Sequence, residues 1–336
     1  MSADEIHKAG TNDGWHGKIE EGGRFPPEKG RYRLYIGFFC PFAHRANLAR
    51  HLSGLTDVIP LTVVKPYPKG TSGFKFPATT DEYPGSTPDP VYGSEYLHQL
   101  YFKADKEYKG KFSVPMLWDT KEETIVCNES AEILRWLPSA FSGILPPDHP
   151  AADLYPESLR AEIDRLAPLV QAEVNAGVYK AGMRAQTQAD YDAAVPRVFG
   201  ALNRLEKLAA ANGGPFLLGG TLTELDVRLY GSLVRFDVAY VSEFRCNVGM
   251  VRHDYPVLIS WLRNLYWNVP GFKETTFFDH IKDGYSKNFP DMNMRSITPM
   301  GPYPDIGGPE GVETDFSRIP PGGVRHPAVL EAEKNL

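Results

Sequence analysis

Residues 34–45 read Leu34-Tyr35-Ile36-Gly37-Phe38-Phe39-Cys40-Pro41-Phe42-Ala43-His44-Arg45. The apolar and aromatic residues between Arg31 and Phe39 predict a strand, and Pro41 suits the first turn of a helix that follows it directly. Cys40 is therefore predicted to lie at a helix N-terminus, where unpaired amide N–H groups and the helix dipole favour a thiolate. This position is typical of a nucleophile.

The residues around Cys40 also limit its chemistry. A dithiol redox motif would have a second cysteine three positions on, but Ala43 stands there. A mixed disulfide on Cys40 would therefore need an outside thiol to resolve it. From the cysteine alone, a purely structural role is an equal alternative, because free cysteine is often a small buried hydrophobic residue.

Composition narrows the classes of partner. The 336-residue chain has a formal net charge of −6 and no dense block of Lys or Arg, which argues against nucleic acid or an anionic membrane as its main partner and favours small molecules. Its three cysteines suit a reducing compartment, so we expect a cytoplasmic protein. No Cys/His cluster has the spacing of metal ligands, and we expect no metal site.

The first half of the chain has the pattern of a mixed α/β domain. Residues 1–30 are polar and predict a surface arm, whereas residues 31–147 predict one domain interrupted by a long Pro- and Gly-rich loop at 66–90. After the Cys40 helix, the pattern predicts in turn a strand near 58–64, a helix at 92–101, strands at 112–119 and 124–127, and a helix at 129–137 capped by Asn128.

Pro115 lies inside the predicted strand 112–119. Proline cannot donate to a sheet ladder, so it belongs at a sheet edge, at a strand start or next to a cis peptide bond, and we predict a cis bond. The order βα, β, α, ββα, with a cysteine at the first helix and a proline opening the third strand, is the thioredoxin-like arrangement.

The period of the pattern changes after this domain. Residues 148–288 carry apolar residues at helical spacing and predict an all-helical domain, in which Thr223 and Asp226 have the spacing of a capping box. Residues 289–336 are rich in Pro and Gly and predict an irregular tail. The fold class is therefore α/β plus all-α.

Several segments together resemble a known family. The chain contains Cys40-Pro41-Phe42-Ala43-His44-Arg45, Ser113-Val114-Pro115, Asn128-Glu129-Ser130-Ala131-Glu132-Ile133, Asn175-Ala176-Gly177-Val178-Tyr179-Lys180-Ala181-Gly182, Leu233-Val234-Arg235-Phe236-Asp237 and Asp279-His280-Ile281-Lys282 with Tyr285. The first three resemble cytosolic glutathione transferases with a cysteine nucleophile. The last three resemble the Xi class, the glutathionyl-hydroquinone reductases, over roughly residues 32–303. The resemblance implies a thioredoxin-like domain followed by a helical glutathione-transferase domain, and a homodimer.

The resemblance also implies a binding site for glutathione, the co-substrate. Val114, Pro115, Glu129 and Ser130 would hold the tripeptide, with an edge-strand backbone at Val114 pairing with its cysteinyl unit and Ser130 holding its γ-glutamyl carboxylate. Three positions depart from the family. They are Lys111 for Arg, and Phe42 and Phe74 for Trp. Lys111 still attracts a carboxylate as a point charge but lacks the bidentate fork of Arg. Phe42 and Phe74 keep an aromatic ring and lose any indole N–H hydrogen bond, which bears on affinity and substrate choice more than on chemistry.

The catalytic residues implied are Cys40 as nucleophile, with Tyr179 and Tyr285 donating hydrogen bonds to a ring oxygen of a glutathionyl-hydroquinone. Cys40 would take the glutathionyl group, and a second glutathione would release glutathione disulfide. One alternative is an omega-like thiol transferase, which shares Cys40 but has no use for the tyrosine pair. Another is a non-catalytic ligand-binding protein on the same fold.

Overall fold

The computed structural model describes residues 14–68, 73–146, 149, 151–288 and 292–336. The chain forms two units, one from the residues up to Asp153 with Thr275–Asn288, the other from Leu154–Glu274 with the tail. The predicted boundary at 147/148 lies within positions outside the described residues, and the one at 288/289 lies next to such positions. The domain limits therefore stay a prediction. The sequence pattern predicts that residues 275–288 belong to the helical domain. In the structure they pack with the first unit, where Phe277 stacks on Phe38 with ring centroids 3.8 Å apart.

The first unit is built on a four-stranded sheet in the order β2-β1-β3-β4. Its strands are β1 (Tyr32–Ile36), β2 (Leu61–Val63), β3 (Met116–Asp119) and β4 (Thr124–Cys127). Its helices are α1 (Pro41–Leu52), α2 (Leu97–Ala104), α3 (Ser130–Trp136) and α10 (Phe278–Lys287), with short 3-10 turns at Leu55–Asp57 and Leu137–Ser139. Strands β1 and β2 are parallel and the other pairs antiparallel, which confirms the thioredoxin-like prediction.

The region around Pro115 differs in part from its prediction. The Val114–Pro115 peptide bond is cis, as predicted. Strand β3, however, begins only at Met116 and lies between β1 and β4, so the expected edge strand at Val114 is wrong. Proline has no N–H to donate, and ladder pairing with β1 starts at the next residue, Met116 opposite Tyr35. Val114 therefore precedes an interior strand.

The cap of α3 also differs. Glu129, and not Asn128, is the N-cap, because its carboxylate accepts a hydrogen bond from the Ala131 amide at 2.8 Å. The Asn128 side chain instead accepts from the amide of Trp15, in the N-terminal arm, at 2.9 Å. The described part of the arm packs along β4, since the Gly17 amide donates to the Val126 carbonyl at 2.8 Å.

The second unit is helical, as predicted. It contains α4 (Arg160–Leu169), α5 (Gly177–Tyr179), α6 (Gln188–Asn212), α7 (Glu224–Arg235), α8 (Val251–Asp254), α9 (Pro256–Asn268) and α11 (Pro327–Lys334). Single turns of π-helix lie at Val170–Asn175, Lys180–Arg184 and Phe236–Tyr240, and 3-10 turns at Glu157–Leu159 and Phe316–Arg318. The Thr223 capping box is confirmed: the Thr223 backbone N–H donates to Asp226 Oδ2 at 2.9 Å.

The tail is not irregular throughout, because it ends in α11. This helix packs on α6, where the Asn203 side chain donates to Glu333 Oε2 at 3.0 Å. Within the described ranges, no helix is both long and apolar enough to cross a membrane.

Candidate active site

Cys40 lies where β1 ends and α1 begins. It is the N-cap of α1, its Sγ accepts a hydrogen bond from the Ala43 amide at 3.5 Å, and the thiol donates to the Val114 carbonyl oxygen at 3.5 Å. The side chain is partly exposed. The Ala43 amide and the helix dipole stabilise negative charge on sulfur, so the local structure suits a nucleophilic thiolate, as expected from Pro41 and the strand before it.

The other two cysteines have opposite surroundings. Cys127 and Cys246 are fully buried, and burial raises the pKa of both thiols, that of Cys246 to about 12. A thiol with so high a pKa stays protonated at neutral pH and is a poor nucleophile. Cys40 is thus the thiol of this chain that reagents can reach.

Of the residues predicted to hold glutathione, Val114 contacts Cys40 directly, and the others lie in the same unit. Val114 faces it through the carbonyl described above, and Ser130 is the first residue of α3. The Ser130 hydroxyl donates to Glu129 Oε1 at 3.4 Å and accepts from Arg45 Nη1 at 3.5 Å. A hydroxyl, a guanidinium and the start of a helix together make a cradle for a carboxylate.

Arg45 is a residue to which the sequence pattern assigned no role. It is 2% exposed, and its guanidinium carbon lies 4.9 Å from the centroid of the Phe42 ring. It therefore links Phe42 with Ser130. The available signal was a charged residue among the small apolar residues that follow Cys40, and such a residue is buried only when it has partners.

The remaining binding candidates lie on the segments beside Cys40. The Phe74 ring is 5.3 Å from the ring of Phe39, the residue before Cys40. The Lys111 carbonyl accepts from the Tyr108 hydroxyl at 3.1 Å, three positions before Val114.

Helix α10 brings Tyr285 into the same unit. A Cβ atom placed on Gly284 would lie 2.5 Å from Phe39 Cβ, so the helix backbone approaches the residue before Cys40 very closely. Tyr285, the next residue, is 3% exposed.

Tyr179 belongs to the second unit, and its relation to Cys40 stays part of the prediction. It lies between two turns of π-helix, a feature often found at functional sites. Its ring contacts those of Tyr240 and Phe244, with centroids at 6.2 and 5.1 Å. As for metals, the part of the chain that the structure describes contains no group of three or more His, Cys, Asp or Glu side chains placed to hold an ion.

Comparison with known proteins agrees with this geometry. The family model for the glutathione S-transferase N-terminal domain matches residues 39–140, and that for the C-terminal domain matches residues 188–264. Glutathione S-transferase omega-like 2 of Schizosaccharomyces pombe is 48% identical over 283 residues, which cover 84% of this chain and 88% of that protein. Glutathionyl-hydroquinone reductase YqjG of Escherichia coli is 42% identical over 306 residues, which cover 91% and 89%.

Solved structures give the same result. The Xi glutathione S-transferase of Phanerochaete chrysosporium has a TM-score of 0.83 and 46% identity, covering 87% of this chain and 96% of that chain. The glutathione-bound structure of YqjG has a TM-score of 0.80 and 42% identity, covering 86% and 90%.

Proposed function

The chain belongs to the glutathione S-transferase family, in its Xi class, and on that premise we propose that it is a glutathionyl-hydroquinone reductase. Glutathione is its co-substrate, and Cys40 is its nucleophile. The observation that carries the proposal is the placement of Cys40, a partly exposed thiol at a helix start, beside the Val114 carbonyl. The relative YqjG, which covers most of this chain, carries the corresponding name.

Glutathione binding follows from the chemistry of the residues around Cys40. The backbone of Val114 offers hydrogen bonds to the cysteinyl unit of the tripeptide. Ser130, Arg45 and the amides at the start of α3 suit its γ-glutamyl carboxylate, while the Glu129 carboxylate suits the ammonium of the same unit.

Four further residues complete the proposed site. Lys111 attracts the second carboxylate of glutathione as a point charge. Pro115 fixes the backbone after Val114. Phe42 and Phe74 form aromatic walls without an indole N–H.

The reaction has two displacements at sulfur. Tyr179 and Tyr285 donate hydrogen bonds to a ring oxygen of the glutathionyl-hydroquinone while the ring takes up its keto form, with a proton on the carbon that bears sulfur. The Cys40 thiolate attacks the glutathionyl sulfur. The carbon–sulfur bond breaks, its electron pair stays with the ring, and the ring oxygen takes a proton to give the hydroquinone.

The second displacement restores the enzyme. A glutathione thiolate attacks the glutathionyl sulfur of the mixed disulfide on Cys40, releasing glutathione disulfide and the Cys40 thiolate. In sum, two glutathione sulfurs are oxidised to a disulfide, and the ring carbon is reduced from carbon–sulfur to carbon–hydrogen. The reaction therefore needs no metal or other redox group.

Two other functions compete with this one. An omega-like thiol transferase would need Cys40 but neither tyrosine, and a non-catalytic ligand-binding protein would need none of the three. The presence of Cys40 at a reactive position, together with Tyr179 and Tyr285, favours the reductase.

The direct test incubates the purified protein with glutathione and a glutathionyl-hydroquinone and follows release of the free hydroquinone by chromatography. The wild type should release it, and Cys40→Ser should not, since a serine hydroxyl does not form the mixed disulfide. Mass spectrometry during turnover should find one glutathione on Cys40. Attachment at Cys127 or Cys246 instead would overturn the assignment.

For its assembly and location we propose a homodimer working in the cytoplasm. Three free cysteines suit a reducing compartment. The dimer is supported by a row of exposed apolar side chains in the tail, Met294, Ile297, Met300 and Tyr303, which we call the tail stripe.

A further inference from the structure

We propose that Tyr101 is a positioning residue for glutathione, because its hydroxyl connects two chain segments. One segment binds the cysteinyl unit of glutathione, and the other binds its γ-glutamyl unit. These segments are 113–115 and 128–130. The inference rests on the proposed function, since that function assigns glutathione to Val114, Glu129 and Ser130.

The hydroxyl of Tyr101 lies within hydrogen-bonding distance of four atoms, three of Ser113 and one of Asn128. Tyr101 is on α2 and is fully buried. Its hydroxyl donates to the Ser113 carbonyl oxygen at 2.7 Å and accepts from the Ser113 amide at 3.2 Å. It also accepts from Asn128 Nδ2 at 3.2 Å. The Ser113 hydroxyl lies farther away, at 3.4 Å. A hydroxyl has one proton to donate and two lone pairs to accept with, so the three shorter bonds use its full capacity.

Each partner of this hydroxyl directly precedes a proposed binding residue. Ser113 precedes Val114, whose carbonyl is 3.5 Å from Cys40 Sγ. Asn128 precedes Glu129, the N-cap of α3. The hydroxyl therefore fixes the backbone that pairs with the cysteinyl unit relative to the helix start that takes the γ-glutamyl carboxylate. Holding two binding segments in place before the ligand arrives reduces the ordering cost of binding.

The N-terminal arm contacts the same residues through Trp15. The Trp15 amide donates to Asn128 Oδ1 at 2.9 Å, so Asn128 is held at both ends of its amide group. The Trp15 ring lies 5.7 Å from that of Tyr101 and 4.9 Å from that of Tyr108. Tyr108 in turn donates to the Lys111 carbonyl. The described arm thus supports the same two segments.

The test is Tyr101→Phe, which removes the hydroxyl and keeps the ring. The dissociation constant for glutathione, measured by calorimetry on the full chain, should rise about five- to tenfold, the change expected from the net loss of hydrogen bonding. The KM for the glutathionyl-hydroquinone, whose glutathionyl group occupies the same site during turnover, should rise by a similar factor, while kcat at saturating substrates should stay within about twofold. The matched control is Tyr32→Phe, another fully buried tyrosine of the same unit, whose hydroxyl donates to the Pro26 carbonyl at 2.6 Å.

A merely structural role gives a different pattern. Both Tyr→Phe variants would then lose melting temperature and active fraction, so kcat would fall while the dissociation constant for glutathione stayed at the wild-type value. A folded Tyr101→Phe protein with wild-type affinity overturns the proposal. If that variant does not fold, Asn128→Ala decides, because it removes one bond of the same hydroxyl. Weaker binding supports the proposal, and unchanged binding overturns it.

Calorimetry also distinguishes a failure of the Tyr101 proposal from a failure of the reductase assignment. A wild type that binds glutathione but releases no hydroquinone would overturn the reductase assignment, while the affinities of the variants would still judge Tyr101.

Discussion

Two tyrosine hydroxyls separate the candidate reactions at the scale of single residues. Tyr285 is 3% exposed and follows Gly284, whose backbone packs on Phe39 beside Cys40. Tyr179 lies between two π-helical turns against the rings of Tyr240 and Phe244. Both side chains are therefore held by their surroundings. A preorganised hydroxyl stabilises an oxyanion that develops during the reaction, and of the two substrate types only the hydroquinone ring develops such an oxyanion.

We predict that Tyr179→Phe and Tyr285→Phe each lower kcat for a glutathionyl-hydroquinone by about tenfold or more, the effect expected from losing one oxyanion donor. Activity on a small glutathione mixed disulfide should stay near the wild-type value, because a disulfide has no ring oxygen. Steady-state assays of both substrates on the same preparations make the comparison. An equal fall on both substrates would mean that the tyrosines support structure or glutathione binding. No fall on either would favour the omega-like thiol transferase.

At the scale of elements, the first unit depends on a helix that comes late in the chain. Helix α10 joins it through Phe277 stacked on Phe38 and through His280, whose Nε2–H donates to the Pro84 carbonyl at 2.7 Å. Burial lowers the pKa of His280, which favours the neutral ring in the folded protein. The helix thus connects the loop before α2 with the residues between β1 and Cys40, and it contains Tyr285.

We predict that Gly284→Ala destabilises the first unit by about 1–3 kcal/mol, the usual cost of overpacking. The new Cβ would lie 2.5 Å from Phe39 Cβ, and neither atom is at the end of a flexible side chain. Thermal unfolding followed by circular dichroism measures the loss, and hydroquinone release should fall with it.

Gly220→Ala is the matched control, because a Cβ atom at that position has no heavy atom within 4 Å. Its melting temperature should match that of the wild type. Equal stability of the Gly284 and Gly220 variants would show that α10 does not pack closely on Phe39.

At the scale of the whole molecule, the tail stripe exposes large apolar side chains that a partner subunit could bury. Met294, Ile297, Met300 and Tyr303 are 86, 61, 94 and 94% exposed, and they recur at every third residue. Large apolar side chains exposed to this degree favour association, and twofold dimers are the commonest assembly of soluble chains.

We predict a homodimer that Ile297→Glu with Tyr303→Glu converts to monomer, because the two carboxylates would have to be buried in the interface. Light scattering at micromolar concentration measures the mass, against 37.5 kDa for one chain. The control is Ile144→Glu, an apolar residue of the first unit that is 48% exposed, which should stay dimeric. A monomeric wild type would contradict the prediction.

The sequence by itself determined the features that depend on neighbours along the chain. Pro41 sets the start of α1 and with it the position of Cys40, while Thr223 and Asp226 form their capping box three residues apart. The strand and helix periods gave the α/β and all-α order, and the motif segments identified the family. Such interactions span a few residues, so a local pattern contains them.

Only the tertiary structure decided the features that join distant residues. Asn128 is a good cap by type, but Trp15 and Tyr101 bind its side chain, and Glu129 caps α3 instead. Arg45 donates a hydrogen bond to Ser130, which is 85 positions away in the sequence. Helix α11 in the tail is short and packs on α6. Short helices and buried polar side chains are stable only with their partners in place, and no local pattern names those partners.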